Sequence, residues 1–355
     1  MILASMRVLA RKVAEEWVFV ASLLGLLASS LALHRFPHYT PDDFHVAFVL
    51  FVFLVIIRGL EKSHLLTWLA VKLSAEKRLA LRLVFLTGAL STFVTNDVAL
   101  MVVVPLTLAL DIEGVEKIVI LETIAANGAS ALTPFGNPQN LFIYYHFGLH
   151  AGEFVGAIFP FALVSLAFAM LMASTIKARP MTLTSPAVGR DAYLYLAFFT
   201  LFLLAALKLL PLWVGAIPLL YVLVRDRAAL RVDYFLLFTF LCFFGFTDNL
   251  THVLRFELQS PTSVFVYSVL ASQLISNVPS TLLLADFTSN WRALLWGVSV
   301  GGFGTLLGSL ASLISYKLYL RRRSEHRHYL AKFHAYSFAA LALGILIYFA
   351  LKPGG

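Results

Sequence analysis

Cysteine is almost missing from this chain. Cys242 stands alone, so neither a disulfide framework nor a cysteine metal site is available. Charge is scarce too: Asp, Glu, Lys and Arg make up 13% of the 355 residues and apolar residues 60%. A soluble domain carries about 25% charged residues, so a sizeable soluble domain is excluded. A polytopic, all-α membrane protein is indicated, with room for roughly nine to eleven membrane segments. The net charge of +8 then reports orientation rather than a nucleic-acid surface. No His-Glu-x-x-His, Gly-x-Ser-x-Gly or Walker loop occurs, no catalytic pair is visible, and an enzyme is not expected. Arg7, Arg11 and Lys12 precede the first apolar run, but Glu15 and Glu16 intervene and no small-residue cleavage site follows. That run is read as a retained helix.

What is present is organised around 79–140. Thr95-Asn96-Asp97 interrupts a long apolar run, leaving arms at 79–94 and 98–110. Each arm is about 13 to 16 residues, too short for a hydrocarbon core that needs about 20. This suggests a re-entrant hairpin over 79–110, since broken backbone survives at that depth only against protein or a wet cavity. Asp97 inside lipid is a functional candidate by default. A second polar patch, Thr133-Pro134-Phe135-Gly136-Asn137-Pro138-Gln139-Asn140, breaks the apolar segment 117–147. Discontinuous helices of this kind place open ends around a substrate near the midplane.

Taken in order, 17–33 and 44–60 read as spans separated by a loop over 34–43. Residues 61–78 read as an amphipathic interfacial helix. The hairpin and the broken segment follow, then a span at 154–175. A Pro-containing linker, 177–190, is expected on the cytoplasmic side and divides the chain into 1–176 and 191–355. Residues 191–224 read as two short spans with a turn near Pro211, or as one tilted helix. After these come a span at 234–249, a short interfacial helix at 252–258, and a hairpin at 262–287 broken at Ser276-Asn277-Val278-Pro279-Ser280. A segment at 291–320, interrupted at Gly304-Thr305-Leu306-Leu307-Gly308-Ser309, and a last span at 333–351 complete the chain, giving about nine full spans. With the amino terminus cytoplasmic and the carboxyl terminus outside, every Lys and Arg falls at a cytoplasmic end except Arg35, Lys208, Arg255, Arg292 and Lys352, as the positive-inside rule requires.

The same series of elements therefore occurs twice in opposite orientation, the pattern of an inverted-repeat secondary transporter. The patches at 95–97, 133–140, 276–277 and 305–309 are expected to converge. Helix N-termini there offer free N–H groups and positive dipole ends to an anion. Asn, Ser and Thr both donate and accept, and freed carbonyls suit sodium.

On Thr-Asn-Asp at 95–97, Thr-Pro-Phe-Gly-Asn-Pro-Gln-Asn at 133–140, Ser-Asn-Val-Pro-Ser at 276–280 and Gly-Ser-Leu-Ala-Ser at 308–312, the chain resembles the ion transporter superfamily. That group holds divalent anion–sodium symporters, citrate–metal transporters, arsenite permeases and sodium/proton antiporters. The Gly-Asn-Pro-Gln-Asn and Gly-Ser-Leu-Ala-Ser patches look most like the citrate/arsenite branch. The resemblance implies an elevator-type transporter in the cytoplasmic (inner) membrane, usually a homodimer. It moves a small inorganic or carboxylate anion coupled to Na+ or H+, with no other cofactor. Thr95, Asn96, Asp97, Thr133, Pro134, Gly136, Asn137, Asn140, Ser276, Asn277, Thr305, Gly308 and Ser309 are the site this resemblance implies, with Na+ at Thr95, Asn96, Gly136, Ser276, Asn277 and Gly308. In the symporters both tips read Ser-Asn-Thr; here the third positions are Asp97 and Val278, and Asp97 as carrier of a sodium/proton antiporter is the alternative.

Other residues receive plainer readings. Asp248 is expected to cap a following helix rather than to act in coupling, Glu122 to sit at a helix terminus facing the cytoplasm rather than to carry a proton, and His326, His328 and His334 to lie on a solvated basic loop rather than to form a metal cluster. The 31 phenylalanines are read as lipid-facing bulk.

Overall fold

A computed structural model describes residues 17–74, 78–109, 114–176, 186–254, 257–322 and 326–353. Most of the expected linker lies outside the described residues. The described chain is helical, and its first helices follow the apolar runs: α1 (Trp17–Leu33), α2 (Pro41–Lys62) and the short α3 (Leu65–Ser74). Helix α2 begins three residues before the expected span. Thr40 is its N-cap in a reciprocal capping box with Asp43, and Pro41 occupies the first turn. Proline fits there because its missing N–H would have no helical partner anyway.

Next come α4 (Leu79–Val94) and α5 (Asn96–Ala109), joined by Thr95 alone and packed on each other. Then α6 (Val115–Ser130), α7 (Pro138–His146) and α8 (Ala151–Ser174) complete the first half. The second half holds α9 (Ala192–Ala206), α10 (Ala216–Arg225) and α11 (Tyr234–Val253). It continues with α12 (Pro261–Ile275), α13 (Asn277–Ala285), α14 (Trp291–Gly301), α15 (Leu310–Leu320) and α16 (His326–Leu351). Two short helices, α9 and α10, thus occupy 191–224, separated by a turn at Pro211 and a 3-10 turn over Leu212–Gly215. Among the described residues α2, α8, α11 and most of α16 are long and apolar enough to cross a membrane, and the other apolar helices are shorter.

The packing has a symmetry of its own. First hairpin arms lie on first halves of broken segments, α4 on α6 and α12 on α14. Second arms cross over, α5 against α15 and α13 against α7, while α1 packs on α11 and α9 on α2. Exchanging the two halves element for element leaves this set of pairings unchanged.

Four expectations are corrected. The described residues of 252–258 do not carry the expected interfacial helix: α11 runs on to Val253, Leu254 turns extended and 257–258 are not helical, while 255–256 lie outside the described residues. From Leu258 onward the chain is strapped to the end of α13, Leu258 N–H donating to Phe287 O at 2.7 Å and Thr288 Oγ1 to Leu258 O at 3.0 Å. Asp248 consequently caps no following helix. Its Oδ2 accepts from Arg35 Nη2 at 2.7 Å and from the His38 N–H at 2.8 Å, pinning the α1–α2 connection. His326, His328 and His334 belong to α16 rather than to a loop, because Tyr329 and Phe333 are buried one turn apart and Tyr329 stacks on Tyr319. Finally, the phenylalanines are not only lipid-facing. Phe93, Phe159 and Phe238 are exposed, but Phe154, Phe161, Phe202, Phe240, Phe265, Phe303 and Phe333 are fully buried. Broad rings fill the wedges where short helices cross, as in the edge-on pair Phe53–Phe202 with centroids 5.0 Å apart.

Candidate functional site

The two interhelix links carry the same unusual backbone. Thr95 has φ 95° and ψ 147°, and Ser276 has φ 76° and ψ 155°. Side chains disfavour that region by about 1–3 kcal/mol, so each link is held by its surroundings. At the first, the Asn96 N–H donates to Gly136 O at 3.1 Å and Thr133 Oγ1 to Thr92 O at 2.6 Å, tying the tip to the break between α6 and α7. At the second, Gln273 does the tying. Its amide donates to Gly301 O at 2.8 Å and Phe303 O at 2.9 Å, and its oxygen accepts the Thr305 N–H at 2.8 Å.

The breaks themselves are shaped by glycine and by caps. A Cβ on Gly136 would lie 2.1 Å from Ser130 O, and one on Gly308 2.7 Å from Gly301 O. Only a bare Cα lets the chain double back on the helix it has just left. Asn137 N-caps α7 by accepting from the Asn140 N–H at 3.0 Å, and Ser309 N-caps α15 by accepting from the Ala311 N–H at 3.2 Å. Asn140 is turned inward: its amide donates to Ser130 O, Ala131 O and Thr133 O, closing the carbonyl end of α6. Pro134 is buried beside Phe135 in the same turn.

These pieces meet. Asn96, Asp97, Asn277 and Ser309 line one small cavity with Pro138, Gln139 and Leu236. The first turns of α5, α7, α13 and α15 all contribute to it, so four helix N-termini face one point. Each is equivalent to roughly half a positive charge, and no Lys or Arg lines the cavity. Asn127 of α6 is the node behind the cavity wall. Its Oδ1 accepts from Asn96 Nδ2 at 3.0 Å and Ser309 Oγ at 3.0 Å, and its Nδ2 donates to Ser312 Oγ at 3.2 Å. Asp97 is half-buried, and its Oδ1 is buried without a partner. Thr95 and Asn137 turn to a neighbouring, apolar cavity lined by Leu50, Phe53 and Phe135. Thr133, Pro134, Gly136, Asn140, Thr305 and Gly308 therefore shape the breaks, whereas the tip asparagines and Ser309 face the cavity.

The sequence reading missed Asn127, Gln273, Gln139 and Ser312. Asn127 and Gln273 each sit within an apolar helix, where a lone amide signals a polar partner across a helix interface. It also misplaced Glu122, which is not at an exposed terminus but is fully buried between α5, α6 and α16.

The sequence model described as "Citrate transporter" matches residues 2–301. An uncharacterized transporter of Methanocaldococcus jannaschii, MJ0456, is 32% identical over 293 residues, covering 78% of this chain and 83% of that protein. The inner membrane protein YbiR of Escherichia coli is 32% identical over 360 residues, covering 92% and 94% respectively. The match spans both hairpins and the first arm of the second broken segment, so the chain is a multi-pass membrane transporter and belongs to the citrate transporter family.

Proposed function

We propose that the protein is a secondary active transporter that carries a small carboxylate or inorganic anion across the cytoplasmic membrane, coupled to Na+ or H+. The observation that carries this reading is the convergence of four helix N-termini on the cavity between Asn96, Asn277 and Ser309. Fixed N–H dipoles attract an anion without a buried lysine or arginine. The second tip suits this especially well, since α13 has no side-chain cap on its first turn. Asp97, with a free carboxylate oxygen at the same cavity, supplies the one full negative charge that a coupling cation needs. In this reading Na+ sits by Asp97 with Asn96 and Asn277, which line the same cavity, while Thr95, Gly136, Ser276 and Gly308 hold the tips and breaks around it.

In this reading α4–α5 and α12–α13 are re-entrant hairpins and the halves 1–176 and 191–355 are inverted copies. The exchange-symmetric packing supports that view. The transport body slides as an elevator against α1, α2, α9, α10 and α11. Leu236, in the first turn of α11, touches the cavity, so in this reading the scaffold helix α11 meets the transport body at the site. Exposed apolar residues on α10, such as Leu220, Leu223 and Val224, face lipid or a second copy of the chain.

The test is a thermal-shift screen of purified protein against citrate, other carboxylates and oxyanions, with and without Na+ and across pH, followed by uptake into vesicles. Stabilisation by one anion class that depends on the cation is expected. No anion effect under any cation condition would overturn the reading. A sodium/proton antiporter using Asp97 is the second reading, favoured by its free oxygen. It alone predicts that a sodium gradient moves protons in anion-free vesicles.

A further inference from the structure

Glu122 lies outside the cavity, eight residues into α6, and is 0% exposed. Its Oε1 accepts from Thr107 Oγ1 of α5 at 2.5 Å, and its Oε2 is buried with no partner. Among the described residues no Lys, Arg or His pairs with it. From α16, the Tyr329 hydroxyl is buried beside Thr123 and Ser315 and within electrostatic reach of Glu122. Behind it Tyr319 of α15 stacks at 4.4 Å. One to two turns further along α6, Gly88 of α4 meets Ala125 and Ala129 and Ser165 of α8 meets Gly128, and neither of these incoming residues titrates. The nearest ion pair, Glu116–Lys332 at 2.5 Å, lies six residues earlier on α6, about 9 Å along the axis.

Two facts set this group apart from packing. An ionised, unpaired carboxylate here would cost several kcal/mol, so the arrangement suits the acid form. Yet the acid proton on Oε2 has no acceptor, so its hydrogen-bonding demand is not met. A polar seam also joins the group to the transport cavity. Thr123, Asn127 and Ser130 share one face of α6, opposite Ser309, Ser312 and Ser315 of α15. Thr123 Oγ1 donates to Ser315 Oγ at 2.8 Å, Asn127 to Ser312, and Asn96 to Asn127.

We propose that Glu122 is a proton-binding site whose occupancy is coupled to the cavity through the α6–α15 seam. This rests on the transporter reading and chooses H+ as a coupling ion. On release, the Oε2–H bond breaks and the proton leaves to water past Tyr329, at the end nearer Glu116–Lys332; the carboxylate remains. No proton passes through Asn127, whose amide is a poor relay. The seam acts by shape, since a ligand that pulls Asn96 and Ser309 shifts Asn127 and, with it, the α6–α15 contact at Thr123.

The test is infrared difference spectroscopy of wild-type and Glu122→Gln protein in lipid across pH, with Asp97→Asn as control. A protonated carboxyl band is expected that converts to carboxylate on alkalinisation, is missing in Glu122→Gln and survives in Asp97→Asn. Its midpoint should move when citrate is added as the probe anion. A band that never converts while the protein stays folded, or no band sensitive to Glu122→Gln, overturns the proposal. In vesicles, Glu122→Gln should lower proton-driven accumulation of labelled citrate about tenfold more than it lowers exchange, within the usual range of coupling between sites. Equal loss of both overturns the coupling. Failure of the wild type to move any anion would sink the transporter reading instead, and the infrared titration would still decide Glu122. Tyr329→Phe, which keeps the ring, should slow the conversion of the band; unchanged kinetics would overturn the assigned exit.

Discussion

Thr95 and Ser276 hold matching left-handed, extended backbone, φ 95° and ψ 147° against φ 76° and ψ 155°, at the two tips that bring Asn96 and Asn277 to one cavity. Strain repeated at equivalent places is a cost that a merely structural turn would shed to glycine. Thr95→Gly and Ser276→Gly are accordingly expected to raise stability by about 1 kcal/mol each while slowing transport, because a looser tip no longer fixes the asparagine that follows. Chemical denaturation in detergent and vesicle uptake measure the two effects. Glycine variants that lose stability would show that the side chains, and not the fold around them, hold these turns.

Asn127 joins tip, break and seam through hydrogen bonds to Asn96, Ser309 and Ser312. Asn127→Ala strands three buried partners, which costs about 1–3 kcal/mol, and it should abolish uptake even where the protein remains folded. Asn127→Leu, which adds bulk without polarity, should be worse. Near-normal uptake in the alanine variant would remove Asn127 from the site.

Much of this architecture was legible before any coordinates. Apolar runs cut in half by Thr95-Asn96-Asp97 and by Ser276-Asn277 mark helix ends, and the helices stop at Val94 and Ile275 and start again at Asn96 and Asn277. What stayed hidden depends on contact. A lone amide such as Asn127 or Gln273 in an apolar helix signals a polar partner but does not name it, because the carbonyls and hydroxyls it meets come from distant segments. Glu122 read as a terminus residue for the same reason: its burial is imposed by α5 and α16, not by its own helix. At Leu258 the expected helix gives way to a pairing with Phe287, which spacing along the chain does not encode.

Gly136 offers a sharper test of the break. An added methyl meets Ser130 O at 2.1 Å and Ser130 C at 2.9 Å, both backbone atoms that cannot swing aside. Gly136→Ala is expected to cost about 3 kcal/mol. Gly152→Ala, where nothing lies within 4 Å, should be neutral or mildly stabilising on its helix. Equal melting temperatures for the two variants would mean that the break relaxes freely and does not position Asn137.

Asp97 is the one ionisable side chain lining the cavity, close to the four helix N-termini. Asp97→Asn keeps the shape and the Asn96 contact but removes the ionisable group. The variant should need about tenfold more coupling cation for half-maximal anion uptake, with the ranking of anions unchanged. A shifted ranking with an unchanged cation requirement would assign Asp97 to the anion instead.

Away from the cavity, Asp226 ties α2 to α9 at the ends of both helices. Its carboxylate accepts from Tyr195 Oη at 2.7 Å and pairs with the Lys62 ammonium. Burial pushes the Asp226 carboxyl up, but the hydrogen bonds from Lys62 and Tyr195 and the Lys62 charge outweigh it and hold the group below its usual range. A depressed folded value gives stability that is fully present above the unfolded pKa of about 3.9 and is lost as pH falls through the lower folded value. Wild-type melting temperature should therefore fall as pH drops below about 4. Asp226→Asn should melt lower at neutral pH and converge on the wild type in acid, because protonation then does to the wild type what the substitution did. Tyr195→Phe should give a smaller version of the same convergence, since it removes one donor but leaves the lysine. Melting curves of all three proteins across acid pH check this, and profiles that stay parallel would show that the Lys62–Asp226–Tyr195 cluster does not hold the two helices together.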